Sequence, residues 1–185
     1  MIKTKADLLE YLAADKKALG RKGKKPKYND LIWKYEVLLR KCEYYSNVKR
    51  IFGRVAYLFY RWRRFRLGIK TGFSIPLNTC SKGLCLAHIG PVIISNYAQI
   101  GEYCRIHVGV NIGADARDGK AAPKIGEYVY IAPGAKLFGN IEIADRIAVG
   151  ANSVVNKSFL TPNVSIAGAP ARQISDKGSE GIIKF

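Results

Sequence analysis

Acidic residues are scarce in this chain, and between Tyr44 and Gly101 there are none. The 185 residues carry 14 Asp and Glu against 31 Lys and Arg, a formal net charge of +17. A field of one sign over one segment attracts something anionic: a membrane surface, a nucleic acid or a phosphorylated substrate. Histidine is scarcer still, with only His88 and His107. The four cysteines are Cys42, Cys80, Cys85 and Cys104. The Cys80/Cys85 spacing fits no common metal site, so reduced structural thiols and no metal are expected. No run approaches the roughly 18–20 uncharged apolar residues of a membrane-spanning helix. Asp7, Glu10 and Asp15 interrupt any signal-peptide core, so a cytoplasmic location is expected. No nucleic-acid-binding motif is present, and no nucleic-acid partner is expected. What is present is ample apolar material, 48% of the residues, enough for a packed core.

Residues 1–68 read as a helical, basic region. Leu8, Leu9 and Leu12 give a short apolar face, and RKGKKPK (Arg21 to Lys27) reads as a charged linker. Asn29 or Asp30 then caps a helix whose Leu31, Ile32, Tyr35, Leu38, Leu39 and Cys42 keep helical spacing. Ser46 or Asn47 is the expected cap of a third helix, with Val48, Ile51, Phe52, Val55, Phe59 and Trp62 along one stripe. Lys49, Arg50, Arg54, Arg61, Arg63, Arg64, Arg66 and Lys70 fill much of its remainder. Two readings of this helix stay open. It packs on the neighbouring domain with a solvated basic face, or it lies on an anionic membrane surface with its apolar side down.

From about Gly72 a period of six replaces helical spacing. Aliphatic anchors recur at Ile94, Ile100, Ile106 and Ile112, then at Ile125, Ile131, Leu137, Ile143, Val149 and Val155. Four residues after an anchor comes a mostly small or aliphatic residue: Ala98, Cys104, Val110, Val129, Ala135, Ile141, Ile147 and Ser153. Such a chain buries its anchors together if it turns a corner every six residues. Three flat sides then close a triangular coil of about 18 residues, and coils stack with parallel strand pairing. Gly101, Gly113, Gly126 and Gly150 follow anchors, and glycine is expected to supply the corner geometry. The stretch GADARDGKAAPK, between anchors Ile112 and Ile125, breaks the period and reads as an extruded loop.

Three blocks carry a family resemblance: LCLAHIGPVIISNYAQIGEYCRIHVGVNIGA, APKIGEYVYIAPGAKLFGNIEIADRIAVGANSVV and SIAGAPARQIS. Over about Gly72 to Ser175 they resemble the serine acetyltransferases and related polysaccharide-cluster O-acetyltransferases, all hexapeptide-repeat enzymes. The resemblance implies a mainly β chain: a left-handed parallel β-helix over residues 69–175, behind the α-helical region 1–68 and before a tail of residues 176–185. It implies acetyl-CoA as co-substrate, a homotrimer, and His88 as general base, since an alcohol must lose its proton as it attacks a thioester. His107 lies about one coil from His88 and is the second catalytic candidate. Ala132, Pro133, Ala151, Asn156, Lys157 and Arg172 match donor-binding positions, the two cations suiting phosphate.

Departures from the family pattern set the expected acceptor. Ala87 stands where the family has an aspartate, neither Phe73 nor Ser74 supplies the acid that orients the base, and Ala121 and Ala122 replace an Arg-His pair. Glu102, Glu127, Asp115 and Asp118 are candidate partners of an imidazole instead. The expectation is an O-acetyltransferase acting on a sugar or lipid-linked saccharide of surface polysaccharide, peripheral at the inner membrane face. The alternatives are a serine O-acetyltransferase of cysteine biosynthesis and a non-catalytic β-helix scaffold for an anionic partner.

Overall fold

The structure is a computed structural model and describes residues 1–48 and 51–183, without the side chains of Ile51 and Phe52. Lys49 and Arg50 of the basic run, and the expected stripe contacts of Ile51 and Phe52, lie outside the described residues. Helix α1 (Lys5–Ala18) starts on a capping box between Thr4 and Asp7. Helix α2 (Leu31–Asn47) is capped by Asp30, which accepts from the Trp33 amide. Ser46 and Asn47 therefore end α2 rather than cap its successor, and Val48 is its C-cap. Helix α3 spans Ile51–Thr71. "Mainly β" thus holds for the repeat region and not for the chain, whose helices run to 14, 17 and 21 residues.

The repeat region is a three-sided coil of short parallel strands. One side stacks β1 (Phe73–Ser74), β3 (Val92–Ile94), β6 (Asn111–Gly113), β9 (Lys136–Phe138) and β12 (Val154–Val155). A second stacks β4 (Gln99–Ile100), β7 (Lys124–Ile125) and β10 (Glu142–Ile143). The third stacks β2 (Cys85–Leu86), β5 (Arg105–Ile106), β8 (Tyr130–Ile131), β11 (Ala148–Val149) and β13 (Ser165–Gly168), closed by antiparallel β14 (Ala171–Ser175). Every anchor is buried, and like meets like in register. Ile94, Ile112, Leu137 and Val155 form one column, and Ile100, Ile125 and Ile143 another. Leu86, Ile106, Ile131, Val149 and Ile166 form the third. Each such side chain contributes about 1.5–3 kcal/mol by leaving water.

Gly109 and Gly134 take left-handed positions after the third side, but the glycines that directly follow anchors do not. The left-handed positions after the second side belong to Tyr103, Tyr128 and Arg146, with φ of 54°, 55° and 58°. Tyr103 and Tyr128 stack at 5.2 Å, and the Arg146 guanidinium lies over Tyr128. Gly101 and Gly126 provide room instead. A Cβ on Gly101 would strike the Gly126 carbonyl of the next coil, and one on Gly126 would strike Asp145. The extruded loop is compact: the Asp115 amide donates to the Ala121 carbonyl at 2.7 Å, and the Asp115 and Asp118 carboxylates accept from the Arg117 and Lys120 amides.

The helices cover the open end of the coil through a buried polar cluster. On α1 the buried residues are Ala14, Asp15 and Ala18, while Leu9 is exposed, so the expected leucine face does not carry the packing. Arg40 is fully buried and donates to both Asp15 oxygens, to Glu43, and to the carbonyls of Cys80 and Ser81. Asp15 accepts from the amides of Gly83 and Leu84, Glu43 from Asn78, and Glu36 from Leu86. Burial opposes the charge on Arg40, but Asp15 and Glu43 outweigh it and hold its pKa above the ordinary value. Glu36 has one oxygen without a partner among the described residues, and burial followed by the Asp15 charge pushes its pKa well up.

Two outcomes follow from this cluster. Arg40→Ala leaves two buried carboxylates uncompensated and lowers the unfolding free energy in urea by about 3–5 kcal/mol. A loss below about 1 kcal/mol, the range of exposed pairs, would contradict the clamp. Glu36 keeps its proton longer in the folded chain than in the unfolded one. Stability therefore falls as pH rises above the ordinary glutamate value of 4.5. Glu36→Gln flattens that slope, and an unchanged slope in the variant would overturn the assignment.

Candidate active site

The corner that follows the third side carries the chemistry-bearing residues. Four backbone hydrogen bonds climb it: from Ala87 to Ile106, His107 to Ile131, Ala132 to Val149, and Gly150 to Ile166, at 2.8–3.0 Å. Ala87, His107, Ala132, Gly150 and Ala167 are therefore stacked in register. His88, Val108, Pro133, Ala151 and Gly168 follow them one residue on. With coils about 4.8 Å apart, this edge extends roughly 19 Å.

His88 and His107 meet on this edge, their ring centroids 5.5 Å apart at 55°. His88 is exposed. The position of His107 just past Ile106 aims it off the core. The residue is nevertheless only 8% exposed. Tyr130, one coil further, packs edge-on against it at 5.0 Å. The Nε2 atom of His107 is buried and has no hydrogen-bond partner among the described residues. Burial, then the charge of Arg105, then His88 lower its pKa below the ordinary 6.5. A neutral imidazole is thus held under an exposed one. The Gly90 amide, two residues past His88, donates to the Thr71 carbonyl at 2.9 Å, which ties this edge to the end of α3.

Three of the four expected acidic partners are engaged elsewhere, and the fourth, Glu127, is exposed. Asp115 and Asp118 turn onto amides of their own loop, and Glu102 pairs with Lys82. Ala122, at the loop position that carries a histidine in the family pattern, is buried. Arg117 and Lys120 stand exposed on the loop.

Of the expected donor residues, Ala132, Pro133 and Ala151 share the histidine edge. Ala132 is buried, with Pro133 and Ala151 exposed beside it. Asn156 and Lys157 lie past β12, on a different corner, with the Lys157 ammonium 5.4 Å from the Phe159 ring centre. Arg172 lies on β14, paired in register with Ala167. The structure thus gathers five of the eight expected residues on one edge and leaves three around the last coil. Lys136 was not anticipated; it donates to the Gly109 carbonyl on the coil below. Its place beside an anchor gave no signal beyond an ordinary outward lysine. All four cysteines are free and buried. Among the described residues no group of three His, Cys, Asp or Glu side chains is placed to hold a metal ion.

No protein-family model matches the chain. A serine acetyltransferase of Synechococcus elongatus is 34% identical over 110 residues, 58% of this chain and 45% of its own length. One of Staphylococcus aureus is 38% identical over 111 residues, 58% of this chain and 51% of its own. The chain thus spans about half the length of these curated relatives. Among solved structures, serine acetyltransferase from Brucella abortus superposes with a TM-score of 0.72 at 26% identity, covering 94% of this chain and 71% of that one. These relatives overturn the expectation of a saccharide acceptor and of capsule polysaccharide biosynthesis. That expectation rested on side chains absent at Ala87, Ala121 and Ala122, and an absent contact at one position does not name a different substrate. Over the matched segment, the chain is a relative of the serine acetyltransferases, a family of hexapeptide-repeat acetyltransferases.

Proposed function

We propose that this protein is an acetyl-CoA-dependent serine O-acetyltransferase. The observation that carries the reading is the His88–His107 pair on an edge that continues into Ala132, Pro133 and Ala151. In a coil wound left-handed, as the family resemblance implies, the donor lies along that edge. The pantetheine arm meets backbone at Ala132, Pro133 and Ala151. Asn156, Lys157 and Arg172 take the phosphate end, where Lys and Arg suit anionic oxygens. The exposure of His88, Pro133 and Ala151 leaves the edge with one wall in a single chain. A neighbouring copy in a homotrimer supplies the other.

The chemistry needs one base. His88 removes the proton of the serine hydroxyl as its oxygen attacks the thioester carbonyl. The tetrahedral intermediate collapses, the C–S bond breaks, and the imidazolium returns its proton to the departing thiolate of coenzyme A. His107, neutral because of its burial, stays under the base without adding a like charge when His88 is protonated. Arg117 and Lys120, exposed on the extruded loop, supply positive charge for the serine carboxylate in place of the Arg-His pair.

The test is thiol release from acetyl-CoA with L-serine. Turnover is expected, and His88→Ala lowers kcat by about 10²–10⁴-fold while coenzyme A binding persists. No turnover by a folded protein, or full activity in the variant, would overturn the reading. Removing the Arg172 cation by Arg172→Ala raises the KM for acetyl-CoA about tenfold, one charge-assisted contact being worth about 1.5 kcal/mol. By NMR, the His107 ring titrates below 6.5, and His88→Ala moves it upward by removing one of the causes of the shift. A His107 titration at or above 6.5 in the wild type would contradict the packed pair.

A further inference from the structure

Helix α3 presents an apolar stripe to solvent. Val55, Leu58, Phe59, Trp62, Phe65 and Ile69 are between 51% and 72% exposed. At 100° per residue they fall within one arc of about 120°. This is not the face by which α3 is held. The packed side carries Tyr60, stacked on Tyr45 at 5.4 Å, and Arg64, which donates to the Ile75 carbonyl at 2.6 Å. The stripe expected from the sequence is therefore displaced toward the C-terminal half of the helix, and it is left uncovered in the single chain.

Cations border this stripe on both margins. Arg54 and Arg61 lie on one side and Arg63 and Lys70 on the other, all exposed, with Arg66 inside the arc. Arg63 sits over the Phe59 ring at 5.5 Å and Arg66 over Trp62 at 5.4 Å, so guanidinium groups stay beside the aromatic faces. The helix holds no acidic residue. An open groove of about 880 Å³ follows one margin, lined by Leu58, Trp62, Phe65, Ile69, Ile75 and Ile93, so the apolar surface continues onto the coil.

We propose that α3 docks this protein onto an anionic lipid surface, its apolar stripe in the acyl boundary and its arginines at the headgroups. Exposed apolar patches of this kind mark interaction sites. An apolar arc with cations on both margins is the pattern of a helix lying in a bilayer interface, long side chains reaching up to the phosphates. No helix among the described residues is long and apolar enough to cross a membrane, so the attachment is at the surface.

A second copy of the chain fits this face less well, because five cations need negative partners. Asp15, Glu36 and Glu43 are buried, Asp30, Glu10 and Glu102 are paired with cations already, and Asp115 and Asp118 bond their own loop. That leaves Asp7, Glu127, Glu142, Asp145, Asp176 and Glu180 to meet them, on a chain whose net charge of +17 repels its own copy. A nucleic acid would satisfy the arginines but leave six large apolar side chains in water.

The experiment is flotation with vesicles of phosphatidylcholine alone and with phosphatidylglycerol added, at low and high salt. The wild type floats with the anionic vesicles at low salt and not with phosphatidylcholine alone. Trp62→Ser/Phe65→Ser, with every arginine retained, weakens binding about tenfold or more, as does Arg61→Gln/Arg63→Gln/Arg66→Gln. Thermal unfolding and thiol release with serine stay at wild-type levels in both variants, so failure to dock and failure to acetylate are read separately. Three results would overturn the proposal. They are a folded wild type that ignores anionic vesicles, apolar variants that bind as well as wild type, and Trp62→Ser/Phe65→Ser splitting the oligomer, which would make the stripe a contact between copies.

Discussion

A parallel coil satisfies its backbone groups by stacking on the coils before and after it, and the first coil has nothing before it. Its amides and carbonyls from Asn78 to Leu86 would face either water or a second chain, an exposed edge that repeat proteins must cap. Here the cap is ionic. The forked guanidinium of Arg40 takes the Cys80 and Ser81 carbonyls, and the carboxylates of Asp15, Glu43 and Glu36 take amides of Asn78, Gly83, Leu84 and Leu86. A side chain of one charge could satisfy only donors or only acceptors. The mixed cluster does both while Arg40 and its carboxylates neutralise one another. The helical region is thereby fastened to the coil at the strand that leads into Ala87 and His88.

The site inherits its geometry from that fastening. β2 ends at Leu86, whose amide bonds Glu36, and the chain turns the corner at Ala87 to present His88. One coil up, the same corner presents His107, and Tyr130 from the next coil closes over it. Because the ladder is in register, a ligand laid along this edge meets successive coils at a fixed repeat. In the proposed reading, an elongated donor and a compact base share one edge without any loop having to move. The same clamp leaves α3 with one face packed on the protein and the opposite face, apolar and cationic, turned outward.

Much of the coil was legible in the sequence because buried anchors are periodic. Ile94 to Ile112 and Ile125 to Val155 mark the interior directly, and the break between them marks the loop. The ionic cap was not legible. Asp15, Glu36 and Glu43 sit on helices rich in charge, where each reads as solvated, and apart from the neighbouring Arg40–Glu43 pair their partners lie 25 to 69 residues away in the chain. Periodicity found an apolar stripe on α3 but could not say whether a neighbour covers it. The histidine pair was visible as a separation of nineteen residues, close to one coil. The packing of Tyr130 against His107 depends on the next coil's register. The glycines misled in part: Gly101 and Gly126 mark close approach between coils, and the left-handed corners after the second side fell to Tyr103, Tyr128 and Arg146, while Gly109 and Gly134 hold such positions after the third.

The central claim is that donor and base share the edge from Ala87 to Gly168. A crystal structure of the full chain with coenzyme A and serine bound tests it most directly. The account predicts the pantetheine arm along Ala132, Pro133 and Ala151, with the serine hydroxyl within about 3.2 Å of the His88 imidazole. Coenzyme A on another side of the coil, with serine away from both histidines, would contradict it.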